Sequence, residues 1–250
     1  MNILTIDIGN TGIKIDFWAD SNHIARELTG VCSFDDFQNL IIKTNAEYII
    51  FSSVRNETDE FVGYLKNLSN ITNFDIDEIH RHYTLDKYKG NLGPDRMAAF
   101  LGAEVLMPGI AKLIIDLGTA MTIDVADENG SFCGGNISLG LNTRLKALEH
   151  FTGRLPLVEN ISGYKAFGHD TLSAIKAGAV NGLIGEILYA VKLAKVNYNI
   201  KNVVLTGGDA ATVNSFLHLD IPTIVDPFLV GRGLNSHIRN KYANKAGGHV

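Results

Sequence analysis

Residues 3–18 run ILTIDIGNTGIKIDFW, and residues 113–127 run LIIDLGTAMTIDVAD. Each stretch is an apolar β-branched run, then Asp-x-Gly, then small hydroxyl or amide residues, then a second β-rich run. Asp7 and Gly9 match Asp116 and Gly118. Strand, glycine turn and returning strand form a hairpin whose tip can offer backbone N–H groups and hydroxyls to a phosphate. Two copies predict an internal duplication, with two similar α/β halves holding a nucleoside triphosphate between them. The best boundary falls at Met107-Pro108-Gly109, giving halves of 1–109 and 110–250.

Outward from the first hairpin, 23–28 reads as a third strand. Residues 34–44 have helical spacing behind Ser33 as N-cap, with Asp35 and Asp36 in the first turn. Residues 48–52 read as a strand and 59–68 as a helix. In 95–106, Met97, Leu101 and Val105 recur at four-residue spacing and predict one apolar helix face. The pattern then restarts. Strands are predicted at 112–116, 122–127 and 131–137, helices at 141–151 and 170–197, a strand at 203–206, a helix at 210–218 and a strand at 223–225. The tail from Asn244 reads as loose.

A chain of 250 residues, 46% apolar and 20% charged, fits a soluble α/β protein with a sizeable core. The formal charge of −5 argues against a nucleic-acid surface, which is basic. A phosphorylated ligand needs only a few local donors. Cys32 and Cys133 are the only cysteines, form no CxxC pair and fit a reducing cytoplasm. The start, MNILTIDIGN, has no basic segment followed by an apolar one, so no signal peptide is expected. No run of about 18 apolar residues predicts a membrane span.

Asp7 ends a buried strand, where a carboxylate is costly without a partner; a hydrated metal on ATP would be one. Gly9 admits close approach of the backbone to phosphate oxygens. Asn10 and Thr11 add donors, and Lys14 can reach a terminal phosphate. The same residues also suit a plain hairpin with a solvated lysine. Asp116, Gly118, Thr119 and Thr122 repeat the choice. Gly93-Pro94-Asp95-Arg96 opens a helix. It reads as an ordinary N-terminus with an exposed arginine, or as the carboxylate that accepts the hydroxyl proton and the cation that fixes an anionic acceptor in a kinase. Thr206-Gly207-Gly208-Asp209-Ala210 follows a VVL strand; its glycines meet a positive φ or leave room for adenosine. No GxSxG, GxxxxGK[ST] or strand-borne GxGxxG is present, and no Cys/His ligand spacing.

Taken in order, these segments resemble type III pantothenate kinases. DIGNTGIK (7–14) resembles the first phosphate motif, GPDR (93–96) the pantothenate motif and DLGTAMT (116–122) the second phosphate motif. GGNISLG (134–140) is similar to Gly-Gly-x-Ile-x-Pro-Gly, TGGDA (206–210) to the adenosine motif, and 229–234 to a closing segment ending in Gly-Leu. The likeness implies an α/β fold of two similar actin-like (ribonuclease H-like) lobes with mixed sheets and an interlobe cleft. It implies ATP-dependent phosphorylation of pantothenate to 4'-phosphopantothenate, the first step of coenzyme A biosynthesis. The enzyme would be a cytoplasmic homodimer with its active site at the subunit interface and no nucleic-acid or membrane partner.

By the same resemblance, Asp7, Ile8, Gly9, Asn10, Thr11, Gly12, Ile13, Lys14 and Thr119 bind ATP. Asp95 is the proton acceptor. Tyr88, Gly93, Pro94, Asp95 and Arg96 bind pantothenate, and Thr171 reaches it in the neighbouring subunit. Asp116 holds a monovalent cation, potassium or ammonium, and Asp7 holds Mg²⁺ through water. Leu139 stands where the family has proline, Met121 where it has threonine and Asp170 where it has asparagine. The loop from Tyr88 to Gly93 is shorter than the family's. Rival readings are a non-catalytic regulatory relative, and another small-molecule kinase or a polyphosphate phosphatase on the same scaffold. Asp95, Arg96 and Lys14 disfavour the first; GPDR disfavours the second.

Overall fold

The computed structural model describes residues 1–30, 32–56, 58–74 and 92–246. The strands are β1 (Asn2–Ile8), β2 (Ile13–Ala19), β3 (Asn22–Gly30), β4 (Tyr48–Ser53), β5 (Ile71–Asn73), β6 (Lys112–Leu117), β7 (Ala120–Ala126), β8 (Phe132–Leu139), β9 (Asn202–Thr206) and β10 (Thr223–Val225). The helices are α1 (Phe34–Thr44), α2 (Glu60–Lys66), α3 (Pro94–Leu106), α4 (Leu141–Phe151), α5 (Thr171–Tyr198), α6 (Ala210–Asn214) and α7 (Leu229–Ala246). They form two compact units: residues 1–109, 130–132 and 228–250, and residues 110–129 and 133–227.

Each unit carries a five-stranded mixed sheet, ordered β3-β2-β1-β4-β5 in the first and β8-β7-β6-β9-β10 in the second. The leading strand, β1 or β6, pairs antiparallel with the next strand and parallel with β4 or β9. Strand for strand the orders coincide, so the repeat visible as Asp-x-Gly is a repeat of topology.

Alternation along the strands sets the faces. In β1, Leu4, Ile6 and Ile8 pack with Phe37, Ile41, Phe61, Val62 and Leu65 of α1 and α2. Ser33 caps α1 as expected, accepting from Asp36 N–H at 3.1 Å; Asp59 caps α2. In the second unit, Leu113, Ile115 and Leu117 of β6 pack with Ile175, Leu183, Ile187 and Val191 of α5. By length and composition α5 is long and apolar enough to cross a membrane, and these residues line the core of its unit.

The opposite face of β1 and β2 holds Thr5, Asp16 and Trp18, all buried. Trp18 Nε1 donates to Thr5 Oγ1 at 2.9 Å, and Arg26 grips the Asp16 carboxylate through Nε and Nη2, both at 2.7 Å. His23 lies 3.0 Å from Asp16 and stacks on Phe228, with ring centroids 3.8 Å apart. This network ties the entrance of α7 to the first sheet.

Three sequence readings are corrected. Val105 is 46% exposed while Met97 and Leu101 are buried. Each four-residue step on an α-helix drifts by roughly 40°, so the third residue has rotated off the buried face. A helix from Leu229 is not among the expected elements, yet α7 runs to Ala246, into the tail from Asn244 that reads as loose; the remaining tail residues, 247–250, lie outside the described residues. The sequence boundary also placed 228–250 with the second half, whereas α7 packs on α3 within the first unit. A Cβ on Gly233 would collide with the Ala98 carbonyl, and one on Gly102 with the Leu229 carbonyl, so these helices cross backbone on backbone.

Candidate active site

Asp7 stands one residue before the end of β1, in register with Lys14 on one side and Ser52 on the other. Its side chain is 13% exposed, and Lys14 Nζ lies 3.6 Å from Oδ2. Burial pushes the Asp7 carboxyl above its ordinary value; Lys14 opposes the rise and the charge of Asp95 adds to it. Such a group holds its proton more tightly folded than unfolded. Its contribution favours folding below the unfolded value and is lost as pH rises through the folded one. Without nucleotide, Asp7→Asn is therefore expected to melt above wild type near about pH 8, the gap closing toward about pH 4. Thermal unfolding across that range checks this, and a gap independent of pH would contradict it.

At the hairpin tip, Gly9 N–H donates to Gly12 C=O at 3.0 Å, and Asn10 and Thr11 are exposed. Ile8 and Ile13 bury their side chains in the core, so only their backbone can face a ligand. Arg55 was not singled out in the sequence, yet it braces this turn. Its Nε donates to Gly9 C=O at 2.8 Å and its Nη1 to Asp59 at 3.2 Å. Its signal was a cation directly behind a strand that ends in two serines, FSSVR.

Gly93 is the N-cap residue of α3, Pro94 opens the helix and Asp95 follows in its first turn. A carboxylate there suits the positive end of the helix. Asp95 Oδ1 accepts from Arg96 N–H at 2.8 Å. Arg96 is only 5% exposed, with its guanidinium 5.7 Å from the Phe132 ring, so the reading of an exposed arginine fails. Lys14 thus lies beside Asp7, and the charge of Asp95 is felt at Asp7, all within the first unit.

In the second unit Asp116 has the place of Asp7, in register with Thr122 and Thr206. Gly118 N–H donates to Ala120 C=O at 3.1 Å. The Thr119 carbonyl accepts from Gly140 N–H at 3.1 Å and Thr143 Oγ1 at 2.6 Å, while its residue stays exposed. Gly207 has φ +94°, and a Cβ there would meet Asp116 Oδ1 and the Leu117 backbone at 2.5 Å. The glycine therefore serves both a positive φ and a close approach to Asp116. Thr171 is the exposed first residue of α5. Tyr88 lies outside the described residues.

Among the described residues no three His, Cys, Asp or Glu cluster as a metal cage. Mg²⁺ is commonly held by one or two carboxylates, with water and phosphate completing the shell. Asp7, a carboxylate near the end of β1, offers a donor of that kind.

The sequence model of type III pantothenate kinases matches residues 3–193. The chain belongs to the type III pantothenate kinase family. These kinases phosphorylate pantothenate in coenzyme A biosynthesis. The chain is 36% identical over 244 residues to the type III pantothenate kinase of Bacteroides fragilis strain YCH46, covering 94% of this chain and 96% of the relative. It is 33% identical over 237 residues to that of Cytophaga hutchinsonii, covering 92% and 96%.

Among solved structures, a Campylobacter jejuni protein described as a Baf-family transcriptional activator is similar with TM-score 0.64 and 24% identity, covering 96% of this chain and 99% of that one. The (R)-2-hydroxyglutaryl-CoA dehydratase component A of Acidaminococcus fermentans is similar with TM-score 0.57 and 15% identity, covering 98% and 99%. These likenesses concern the fold, and they agree with the actin-like α/β architecture of mixed sheets.

The departures from the pantothenate kinase motifs have local explanations. Arg144 Nε donates to the Leu139 carbonyl at 2.9 Å and Nη2 to Ser138 Oγ at 3.2 Å, bracing the turn that lacks proline. Met121 faces the core, fully buried beside Leu117. Asp170 caps α5, accepting from Ser173 N–H at 2.9 Å, a task aspartate and asparagine perform about equally well.

Proposed function

We propose that this kinase transfers the γ-phosphoryl group of ATP to the primary hydroxyl of pantothenate, with Asp95 accepting the hydroxyl proton. The observation that carries this reading is the Lys14–Asp7 pair at the end of β1, 3.6 Å apart, with Asp95 in the first turn of α3 of the same unit. Phosphoryl transfer through a loose transition state depends mainly on alignment and charge neutralisation. Bound Mg²⁺ would supply much of that neutralisation. Asp7 would hold its water, and Lys14 would offset the remaining phosphate charge. Residues 7–14 and Thr119 bind ATP in this reading, and Asp116, beside the Gly207 backbone, takes potassium or ammonium.

Gly93, Pro94, Asp95 and Arg96 form the acceptor site with Tyr88, and Thr171 completes it from the neighbouring subunit. A desolvated guanidinium suits a carboxylate, which it can bind through two parallel hydrogen bonds. A homodimer is supported by Leu188, Tyr189, Leu193 and Val196 of α5, an exposed apolar group that a second copy would cover. The reading places the enzyme in the cytoplasm, with no nucleic-acid or membrane partner.

A coupled assay of ADP release tests it. Release is expected to need pantothenate and to be stimulated by potassium or ammonium; no pantothenate-dependent release would overturn the reading. Arg96→Ala is expected to raise the pantothenate KM by roughly ten- to a hundredfold and to leave the ATP KM unchanged. Equal pantothenate KM values would remove Arg96 from the acceptor site.

A further inference from the structure

Ser52 closes the apolar run of β4, and the residue is 1% exposed. Its Oγ is buried and, among the described residues, has no hydrogen-bond partner. A hydroxyl withdrawn from water without a partner is destabilising, so its presence calls for an explanation. Its position suggests one. Ser52 pairs in register with Asp7 across the parallel β1–β4 ladder, so both side chains leave the sheet on the same face. Lys14 flanks Asp7 on the other side, giving a row Lys14–Asp7–Ser52 over three strands.

The second unit repeats the arrangement as Thr122–Asp116–Thr206, with Thr206 2% exposed. A hydroxyl beside the strand-end carboxylate is therefore part of the duplicated device. The chemistry of the pair selects its ligand. Ionised Asp7 only accepts hydrogen bonds, and it repels a bare phosphate oxygen. Ser52 can accept as well as donate. A ligand satisfying both must present several donors, as the water shell of a divalent cation does.

We infer that Ser52 is a second contact for the water shell of the magnesium ion that accompanies ATP, sharing that shell with Asp7. The inference rests on the proposed role of Asp7. Ser52 then acts as a positioning residue that sets where the metal, and with it the terminal phosphate, comes to rest.

Calorimetric binding of AMP-PNP to the full chain, repeated over a series of Mg²⁺ concentrations, tests this. Ser52→Ala is expected to raise the Mg²⁺ concentration for half-maximal binding about three- to tenfold. Affinity for the metal-free nucleotide stays unchanged, and the melting temperature equals or exceeds that of wild type. Ser52→Thr, which keeps a hydroxyl, retains the wild-type Mg²⁺ dependence. An unchanged Mg²⁺ dependence in Ser52→Ala overturns the inference. So does an equal loss of metal-free binding, which would make Ser52 a phosphate contact. Should Ser52→Ala fail to fold, Ser52→Cys undergoes the same titration and is judged by the same shift. Failure of the underlying reading shows separately, as wild-type protein without pantothenate-dependent ADP release.

Discussion

Asp95→Asn is expected to lower kcat for pantothenate phosphorylation by about 10²- to 10⁴-fold, while both substrates still bind. Asparagine keeps the oxygen that accepts from Arg96 N–H, so the start of α3 stays as it is. What disappears is the proposed ability to take a proton from the acceptor hydroxyl. Because that interaction matters only as the transition state forms, kcat and kcat/KM should fall together. A second readout is independent of turnover. The charge of Asp95 is one cause of the raised Asp7 carboxyl, so in the variant Asp7 should titrate lower, followed by NMR in nucleotide-free protein. Near-normal turnover in Asp95→Asn would assign the base elsewhere. An unmoved Asp7 would show that the two carboxylates do not sense each other.

Gly233→Ala is expected to destabilise the protein by about 3 kcal/mol, at the upper end of overpacking effects. The added methyl would meet the backbone carbonyl of Ala98, which cannot rotate aside as a side-chain tip can. To make room, α7 must move off α3, loosening Leu229, Leu234 and Phe100, all fully buried. In a chain of this size the loss corresponds to roughly 6–12 °C in melting temperature. Asp95 lies in the first turn of α3, so the strain should also reach the proposed catalytic base and lower kcat. Gly63→Ala in α2 is the control, since a Cβ there meets nothing within 4 Å. It should be neutral or slightly stabilising. If Gly233→Ala melts like the control, the two helices are not locked at this crossing.

Much of this was legible in the residues themselves. Alternation in 2–8 and 112–117, each closed by Asp-x-Gly, announced the paired hairpins, and both sheets grow from them. Ser33 and Asp170 marked helix starts because a cap is a local hydrogen bond, whereas Asp59, read as the first helical residue, is the cap of α2. The helix from Leu229 was not legible. Gly231 and Gly233 lower local helix propensity, and what stabilises the segment is its fit against α3 and the first sheet. Ser52 and Arg55 escaped notice for a related reason. A serine ending a strand and an arginine after it are ordinary residues until the register puts one beside Asp7 and the fold puts the other on the Gly9 carbonyl.

Strand alternation, helix caps and motif order act over a few residues, and from them come the duplicated α/β plan, the kinase family and the candidate base Asp95. Packing alone settled the return of α7 to the first unit, the burial of Arg96 and the unpartnered hydroxyl of Ser52. Each of these depends on residues far apart in the chain. Their contact energies exceed local preference and arise only once the sheets and helices are assembled.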